Sequence, residues 1–466
     1  MRRQSIIVLS LMAGALVSLC GCAHFQPQPI SPEKTAADFD SRSLTNENLQ
    51  AFLSTNHFSG AWDLRSLTLV AFYYQPALAE AQSQWTLARA AEITAGERPN
   101  PTVSVTPGYD TQIPNNPSPW MIPVSFDIPI ETAGKRGKRI EEAKHSSEAA
   151  YWDYIGQIWQ ARSHVRAALL SFYAAQEDEK LISGQETAQN NVVRLLEGQL
   201  QAGSISSYEV TQARVTLETT QLARQDAIGQ LNQARAQLAG VLGVPLGALA
   251  GVEFSFNDFK NFPRDLTAPE IRRQALLNRA DVRGALAEYA ASQSALQIEI
   301  ANQYPDVHLG PGYAWNNGNA GDNEWQLGLT VTLPLLNQNQ GGIAGAKAKR
   351  AEAAAHFLTI QAGAISEIDS AVAGYDAALQ KSATAEKLST DLQRQMDSTR
   401  AQARAGEIDA LALANAETEF AAGGQSRMDA LVQAQQALGQ LEDAAQSPLT
   451  LPPETLGAAI NQKTQR

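Results

Sequence analysis

The sequence predicts a mainly α-helical chain with a small β portion, built from two structural repeats. Two long segments without proline, from about Lys135 to Gln201 and from about Ile343 to Ala405, predict helices that could each reach roughly 100 Å. Short segments of alternating apolar and polar residues predict the strands. The same order of motifs occurs twice, roughly 200 residues apart, which indicates a duplicated unit.

The N-terminus has the features of a bacterial lipoprotein signal. Two arginines precede an apolar stretch, Ser5 to Leu19, that is too short for a stable membrane-spanning helix. Gly21 directly before Cys22 favours Cys22 as the lipidated residue. We therefore predict a signal peptide over residues 1–21 and an extended, lipid-anchored segment over 22–62. The alternative is an ordinary secretory signal with two incidental cysteines.

Composition excludes several classes of protein. The chain has 36 basic and 48 acidic residues and a net charge of −12, so it lacks the basic balance expected of a nucleic-acid-binding protein. Its two cysteines are both at the N-terminus, which excludes a disulfide framework or a thiolate metal site in the remainder. Beyond the signal, no stretch of 18 or more apolar residues predicts a transmembrane helix. Any membrane crossing would then require a closed β-barrel.

Each repeat has the same predicted order: a helix, two strands, a long helix, a turn at a glycine, and a return helix. We place repeat 1 at residues 63–260, repeat 2 at 261–448 and a C-terminal tail at 449–466. The predicted strands, in chain order, are about 101–109, 119–129, 305–313 and 324–334. The tip turns are predicted at Gly203 and Gly406, in the left-handed conformation that allows a helix to reverse.

The strands are amphipathic and about as long as tilted bilayer-spanning strands. Every second residue of Trp120–Pro129 and of Trp325–Pro334 is apolar. Aromatic residues at the loop ends are the candidate membrane-interface girdle: Tyr109, Trp120, Tyr313 and Trp325. The pattern predicts four membrane strands per protomer, whereas about eight are the usual minimum for closure, so one chain is insufficient. A soluble sandwich sheet is the alternative.

The long helices are predicted to pack as coiled coils. Apolar and alanine side chains recur at spacings of three and four between Phe357 and Leu379, and again from Val210 to Leu217 on a return helix.

The order of motifs resembles the TolC-like outer membrane efflux protein family. Leu69 to Leu78, which contains Gln75-Pro76, resembles the opening of the family's first helix, and Asn278 to Arg283 resembles the opening of its second repeat. Ala202-Gly203-Ser204-Ile205-Ser206 and Arg404-Ala405-Gly406-Glu407-Ile408 resemble the helix-hairpin tips. Ile130-Glu131-Thr132-Ala133-Gly134-Lys135-Arg136 resembles the heavy-metal efflux branch, although a turn from strand to helix also accounts for this segment.

The resemblance implies a TolC-like α/β barrel that acts as a homotrimer in the outer membrane, extending into the periplasm. It implies a passive exit duct coupled through a periplasmic adaptor to a proton-driven inner-membrane pump, with metal cations or drugs as cargo. The residues it places at the adaptor-facing tips are Gly203, Ser204, Ile205, Gly406, Glu407 and Ile408. The family's acidic gate positions correspond here to Ala412 and Asn415, so Asp409 and Glu209 are the candidate gate acids. Solvated carboxylates on the helix surface are the alternative for both.

No motif predicts catalysis or a cofactor. The six histidines form no metal-binding pair on one helix face, and neither a nucleophile elbow nor a phosphate-binding loop occurs. We therefore expect no enzyme activity, no cofactor and no bound metal. The other hypotheses are a periplasmic coiled-coil adaptor or scaffold lipoprotein and, with less support, a lipid-anchored periplasmic hydrolase.

Overall fold

The computed structural model describes residues 24–56, 58, 60–109, 111, 120–263, 268–316, 324–449 and 457. Ten α-helices lie in these ranges: α1 Pro32–Asp40, α2 Glu47–Thr55, α3 Leu64–Tyr74, α4 Pro76–Gly96, α5 Lys135–Gln201, α6 Ser207–Leu242, α7 Ala268–Asn278, α8 Ala280–Ala301, α9 Gln340–Ala405 and α10 Ala410–Ala445. Two short 3₁₀ helices follow α6, at Leu246–Leu249 and Asn257–Lys260. The strands are β1 Thr102–Val105, β2 Gly108–Tyr109, β3 Trp120–Ile130, β4 Val307–Asn316 and β5 Glu324–Val331.

The four longest helices form two antiparallel hairpins of matching length. In repeat 1, α5 has 67 residues and α6 has 36. In repeat 2, α9 has 66 residues and α10 has 36. In the described ranges, no helix is both long enough and apolar enough to cross a membrane.

Local sequence sets where helices α4, α5 and α10 begin. Gly134, at φ +69°, reverses the chain after β3 so that α5 begins at Lys135. Pro76 occupies the first position of α4, where its missing N–H has no helical partner to lose, and it separates α4 from α3. The side chain of Asp409 accepts a hydrogen bond from the backbone N–H of Ala412 and caps α10.

Helix α5 is the centre of the helical packing. Near the sheet it contacts α4 and α8, and farther along it contacts α6 and α10, which in turn pairs with α9. The largest apolar core surrounds the middle of α5, where Val165 and Leu169 meet Leu67 of α3, Leu238 of α6 and Phe259. A second cluster around Ile368 and Leu438 joins α9 and α10 to α7.

The five described strands belong to one antiparallel sheet in the order β1-β3-β4-β5, with β2 also paired to β3. The strands of the two repeats are therefore joined directly, through β3 and β4. The predicted strand at about 101–109 is divided into β1 and β2 at Thr106-Pro107, because proline has no backbone N–H to donate. In the second repeat, β4 begins two residues later and ends three residues later than the predicted strand at about 305–313, whereas β5 ends three residues earlier than the predicted strand at about 324–334.

The N-terminal segment differs from the extended conformation predicted for residues 22–62. It contains α1 and α2, which begin after the capping residues Ser31 and Asn46. Leu49 and Leu53 of α2 are fully buried in the large core. Each helix has nine residues, which is too short for a clear periodic pattern in the sequence.

Candidate functional site

The sheet exposes a continuous apolar face. The antiparallel register pairs apolar residues with each other across the strands, for example Val103 with Phe126 and Ile128 with Leu309. Its exposed members include Trp325 (81%), Leu327 (76%), Leu329 (65%), Val103 (58%) and Val105 (53%). No described helix packs broadly against the sheet, so this face has no apolar cover within the described chain. A large exposed apolar patch is typical of a membrane or protein contact.

The four predicted girdle aromatics meet as two cross-strand pairs at the loop end of the sheet. Tyr109 lies opposite Trp120 with ring centroids 5.1 Å apart, in an edge-to-face arrangement. Tyr313 lies opposite Trp325 at 4.7 Å. Aromatic residues with an apolar ring and a polar group favour the boundary between lipid and water.

The opposite face of the sheet is polar and has few large side chains. Nδ1 of His308 lies 2.9 Å from Oδ1 and 3.1 Å from Oδ2 of Asp127 on the neighbouring strand. Gly310 and Gly328 lie opposite each other on β4 and β5, where a Cβ on either would approach the other's carbonyl oxygen within 3.8 Å. The two faces therefore differ clearly in polarity, as expected for a sheet between lipid and water.

Polar contacts join the sheet to the start of α5. Nζ of Lys135 donates to the carbonyl oxygen of Tyr304 at 2.8 Å and to Oδ1 of Asp306 at 2.9 Å. The backbone N–H of Thr132 donates to the same Asp306 oxygen at 2.9 Å. Burial alone would raise the pKa of Asp306, but the hydrogen bonds from Lys135 and Thr132 outweigh it and hold this pKa below its usual value. The Gly-Lys-Arg motif therefore has a structural role at this junction.

Both hairpin tips close with the same pair of backbone hydrogen bonds. In repeat 1, Gly203 N–H donates to Leu200 and Ser204 N–H donates to Gln199. In repeat 2, Gly406 donates to Ala403 and Glu407 donates to Gln402. Gly203 and Gly406 both have φ of +75°, which confirms the predicted left-handed turns. Ile205 and Ile408 follow as partly exposed side chains.

The two candidate gate acids lie at the start of the return helices. Oδ1 of Asp409 accepts the N–H of Ala412 at 2.8 Å, so Asp409 has a capping role whatever else it does. Oε1 of Glu209 accepts a hydrogen bond from the Ser206 hydroxyl at 3.3 Å. Both acids are near the tips, on different hairpins.

The structure contains a buried ionic cluster that the sequence analysis missed. Nη2 of Arg162 donates to Oε2 of Glu442 at 2.6 Å, and Nε of Arg166 lies 3.3 Å from the same oxygen. Arg162 and Glu442 are fully buried. Arg166 also donates to the carbonyl oxygen and to Oε1 of Gln435, both at 2.7 Å. The two arginines are four positions apart among apolar residues, and this spacing could have indicated that they are buried on one face of the helix. No residue near Glu442 in the sequence indicates that Glu442 is buried.

The described residues contain no group of three or more His, Cys, Asp or Glu side chains arranged to hold a metal ion. Cys22, the predicted lipidation site, lies outside the described residues.

Solved structures share this fold. The chain is similar to the outer membrane protein VceC from Vibrio cholerae, with a TM-score of 0.68 and 18% identity over 82% of this chain and 96% of that one. At this level of identity the likeness concerns the fold alone, which is a TolC-like fold with long helices and a small sheet.

The chain belongs to the family described as Outer membrane efflux protein, which it matches over residues 73–244 and 271–445. It is 29% identical over 218 residues to the cobalt-zinc-cadmium resistance protein CzcC of Cupriavidus metallidurans, covering 47% of this chain and 51% of the relative. It is 25% identical over 247 residues to the nickel-cobalt-cadmium resistance protein NccC of Alcaligenes xylosoxydans xylosoxydans, covering 51% and 52%. The chain thus spans about half the length of the curated relatives it matches.

Proposed function

We propose that this chain is the outer-membrane channel component of a tripartite efflux system, a passive duct through which cargo leaves the cell. The observation that carries this proposal is the sheet with one exposed apolar face and one polar face, joined to helices about 100 Å long. The apolar face would contact lipid, and the polar face would line the water-filled passage. Family membership supports the same function.

The proposed assembly is a homotrimer. Within the described sheet, β1 and β5 are the edge strands, each with one neighbour along the path. Unpaired edges within lipid are costly because no water satisfies their backbone groups. Pairing β1 of one copy with β5 of the next would satisfy them, and three copies would complete the sheet as the resemblance implies.

The proposed partners are a periplasmic adaptor at the hairpin tips and, through the adaptor, an inner-membrane pump that supplies the energy. The tip residues named above, Gly203 to Ile205 and Gly406 to Ile408, form two equivalent turns that such an adaptor would contact. Opening would then be a rearrangement of packed hairpins between two states.

The proposed cargo is a divalent metal cation, and drugs are the alternative. The names of the relatives, which refer to cobalt, zinc, cadmium and nickel resistance, support the first choice. The acidic net charge of −12 is compatible with a cationic cargo.

The proposed location is the outer membrane, with a lipid anchor on Cys22 after removal of residues 1–21. We also retain the division into repeat 1 at 63–260, repeat 2 at 261–448 and the tail at 449–466 as a proposal, because the two hairpins and their strands follow that order.

The function is tested by extraction and conductance. The expected particle needs detergent for extraction, has three times the mass of one chain, and forms ion-conducting pores in planar bilayers. Multi-angle scattering and single-channel recording measure these properties. A soluble monomer after lipid removal would contradict the proposal and favour an adaptor, a scaffold or a hydrolase.

The role of Asp409 is tested by two substitutions. Asparagine caps a helix about as well as aspartate, so Asp409→Asn removes the charge and keeps the cap, whereas Asp409→Ala also loses about 1 kcal/mol of capping. If Asp409 narrows the closed tip, both variants will change conductance or cation preference in bilayer recordings. Unchanged recordings for Asp409→Asn would exclude the carboxylate from the gate.

A further inference from the structure

The two strand hairpins of the sheet are equivalent residue by residue. Residues of β1 correspond to residues of β4 at an offset of 204 positions, and residues of β3 correspond to residues of β5 at an offset of 205. The first hairpin pairs Val103 with Phe126. The equivalent residues of the second hairpin, Val307 and Val331, are also paired. The repeat in the sequence is therefore preserved in the strand register.

Only one of the two equivalent joints between these hairpins is made within the described chain. Strand β3 pairs with β4, which places Ile128 opposite Leu309. The equivalent joint would pair β5 with β1, but these strands form the two edges of the described sheet. So few strands cannot close on themselves, because about eight are the usual minimum for a closed sheet. The equivalent joint therefore requires a second copy of the chain.

The two open edges present apolar residues in a matching register. At the offsets given above, the joint between β3 and β4 converts into a joint that places Leu333 opposite Val105. Two residues farther along, the same register places Leu335 opposite Val103. All four side chains are exposed in the single chain. Because apolar cross-strand pairs stabilise a sheet, these pairs favour the association of two copies.

Strand β5 ends early where it has no neighbour. Strand β3 continues to Ile130, whose equivalent in repeat 2 is Leu335, but β5 ends at Val331. Beyond this point the chain bends, and the N–H of Leu335 donates to the carbonyl oxygen of Leu333 at 2.9 Å. This local hydrogen bond stands in for the ladder bonds that β4 provides to β3, and a strand alongside would replace it.

The turn that follows each strand carries a polar contact in one repeat and only its separated halves in the other. After β3, the Thr132 hydroxyl donates to the carbonyl oxygen of Pro305 at 2.6 Å. The equivalent of Thr132 after β5 is Asn337, whose Oδ1 accepts the N–H of Asn339. The NH₂ group of Asn337 makes no hydrogen bond within the described chain. The equivalent of the acceptor residue is Pro101, which is exposed.

The joint within the chain is charged, whereas the open edges are neutral at the equivalent positions. Lys135 binds Asp306 in the joint between β3 and β4. Their equivalents are Gln340, which begins α9 as Lys135 begins α5, and Thr102, and both equivalents are exposed. Oε1 of Gln340 accepts the N–H of Gln338 at 3.1 Å, which leaves its NH₂ group to donate. A contact between copies at these positions depends little on salt concentration, because it contains no ion pair.

We propose that β5 of one copy binds β1 of the next copy in the register that already joins β3 to β4 within the chain. Leu333 then lies opposite Val105 of the next copy. The NH₂ group of Asn337 donates to the carbonyl oxygen of Pro101 of that copy. The two edges are different surfaces, so the contact is head-to-tail and builds a ring. This register rests on the proposed homotrimer and specifies how its copies meet.

Cysteine pairs introduced into the full chain in detergent test this register. Leu333→Cys combined with Val105→Cys is expected to form disulfides between copies and to give covalent trimers on oxidation. Leu335→Cys combined with Val103→Cys should do the same. The control, Leu333→Cys with Val103→Cys, is displaced by two residues, where Cα atoms are about 7–8 Å apart and disulfides do not form. Non-reducing electrophoresis measures the yields against the wild-type chain, which has two cysteines of its own.

The mass of the particle separates this register from the proposed function. If multi-angle scattering shows a trimer but the displaced pair links as well as the matched pairs, or no pair links, the copies meet in another register and the proposal is wrong. A monomeric wild-type chain would contradict the homotrimer itself, and the register with it. Hydrogen exchange of the wild-type trimer gives a readout without substitutions. Slow exchange at positions 103, 105, 333 and 335 is expected, and rapid exchange there would overturn the proposal.

Discussion

Glu442→Gln is expected to destabilise the folded chain by about 3–5 kcal/mol, the cost typical of removing one partner from a buried ion pair. Glu442 is fully buried and compensates two arginines, Arg162 and Arg166. Burial lowers the pKa of Arg166 and the charge of Glu442 opposes this effect, so without Glu442 two cations would share one apolar site. Thermal unfolding, followed by the circular dichroism signal of the helices, measures this loss of stability.

The matched control for this prediction is Glu386→Gln. Glu386 is 64% exposed and its ion pair with Arg427 has an N–O distance of 3.5 Å, so its loss should cost less than about 1 kcal/mol. Glu442→Gln also removes charge from a second contact, because Oε1 of Glu442 accepts the backbone N–H of Leu449 at 2.8 Å. Glu442 therefore connects α5 both to α10 and to the residue that follows repeat 2. If the two variants have the same free energy of unfolding, the buried cluster contributes no more to stability than an exposed ion pair does.

Leu327→Arg is expected to weaken insertion into phospholipid vesicles by about 2–4 kcal/mol, the cost of an arginine near the centre of a bilayer on a lipid-facing strand. Leu327 is 76% exposed on the apolar face, near the middle of β5 and opposite Pro311. If that face contacts lipid, the guanidinium must lose its hydration or distort the bilayer. Urea titration of the vesicle-inserted chain measures the difference.

Gln326→Arg is the neighbouring control. Gln326 adjoins Leu327 in β5 but belongs to the polar face, where its side chain lies beside Gly312. Arginine there remains in water and should leave insertion nearly unchanged, with an effect on ion selectivity instead. If both variants insert as well as the wild-type chain, the apolar face does not contact lipid and the proposed function loses its main support.

The elements that could be predicted from sequence are those with long or repeated patterns. The chain without proline from Lys135 to Gln201 forms one helix with these bounds, and the alternation around Trp120 forms β3. The positive φ at Gly203 and Gly406 followed from the need to reverse the chain at each tip. The family resemblance was confirmed by the match over both repeats.

What could not be predicted depends on contacts between residues distant in sequence. Glu442 is separated from Arg162 by 280 positions, and its burial follows from the packing of α10 on α5 rather than from neighbouring residues. The helix α2 escaped prediction because its stability comes from burying Leu49 and Leu53 in a core built largely by later residues. By contrast, the division of the first strand at Thr106-Pro107 could have been predicted, because Pro107 has no backbone N–H to donate.

The matching lengths of the paired helices restrict how this chain can vary. The outgoing helices differ by one residue, at 67 and 66, and the return helices both have 36. An additional turn in α5 alone would lengthen it by about 5.4 Å and end the match in length with α9. Insertions that keep the helices of the two halves matched in length must therefore occur in both halves together.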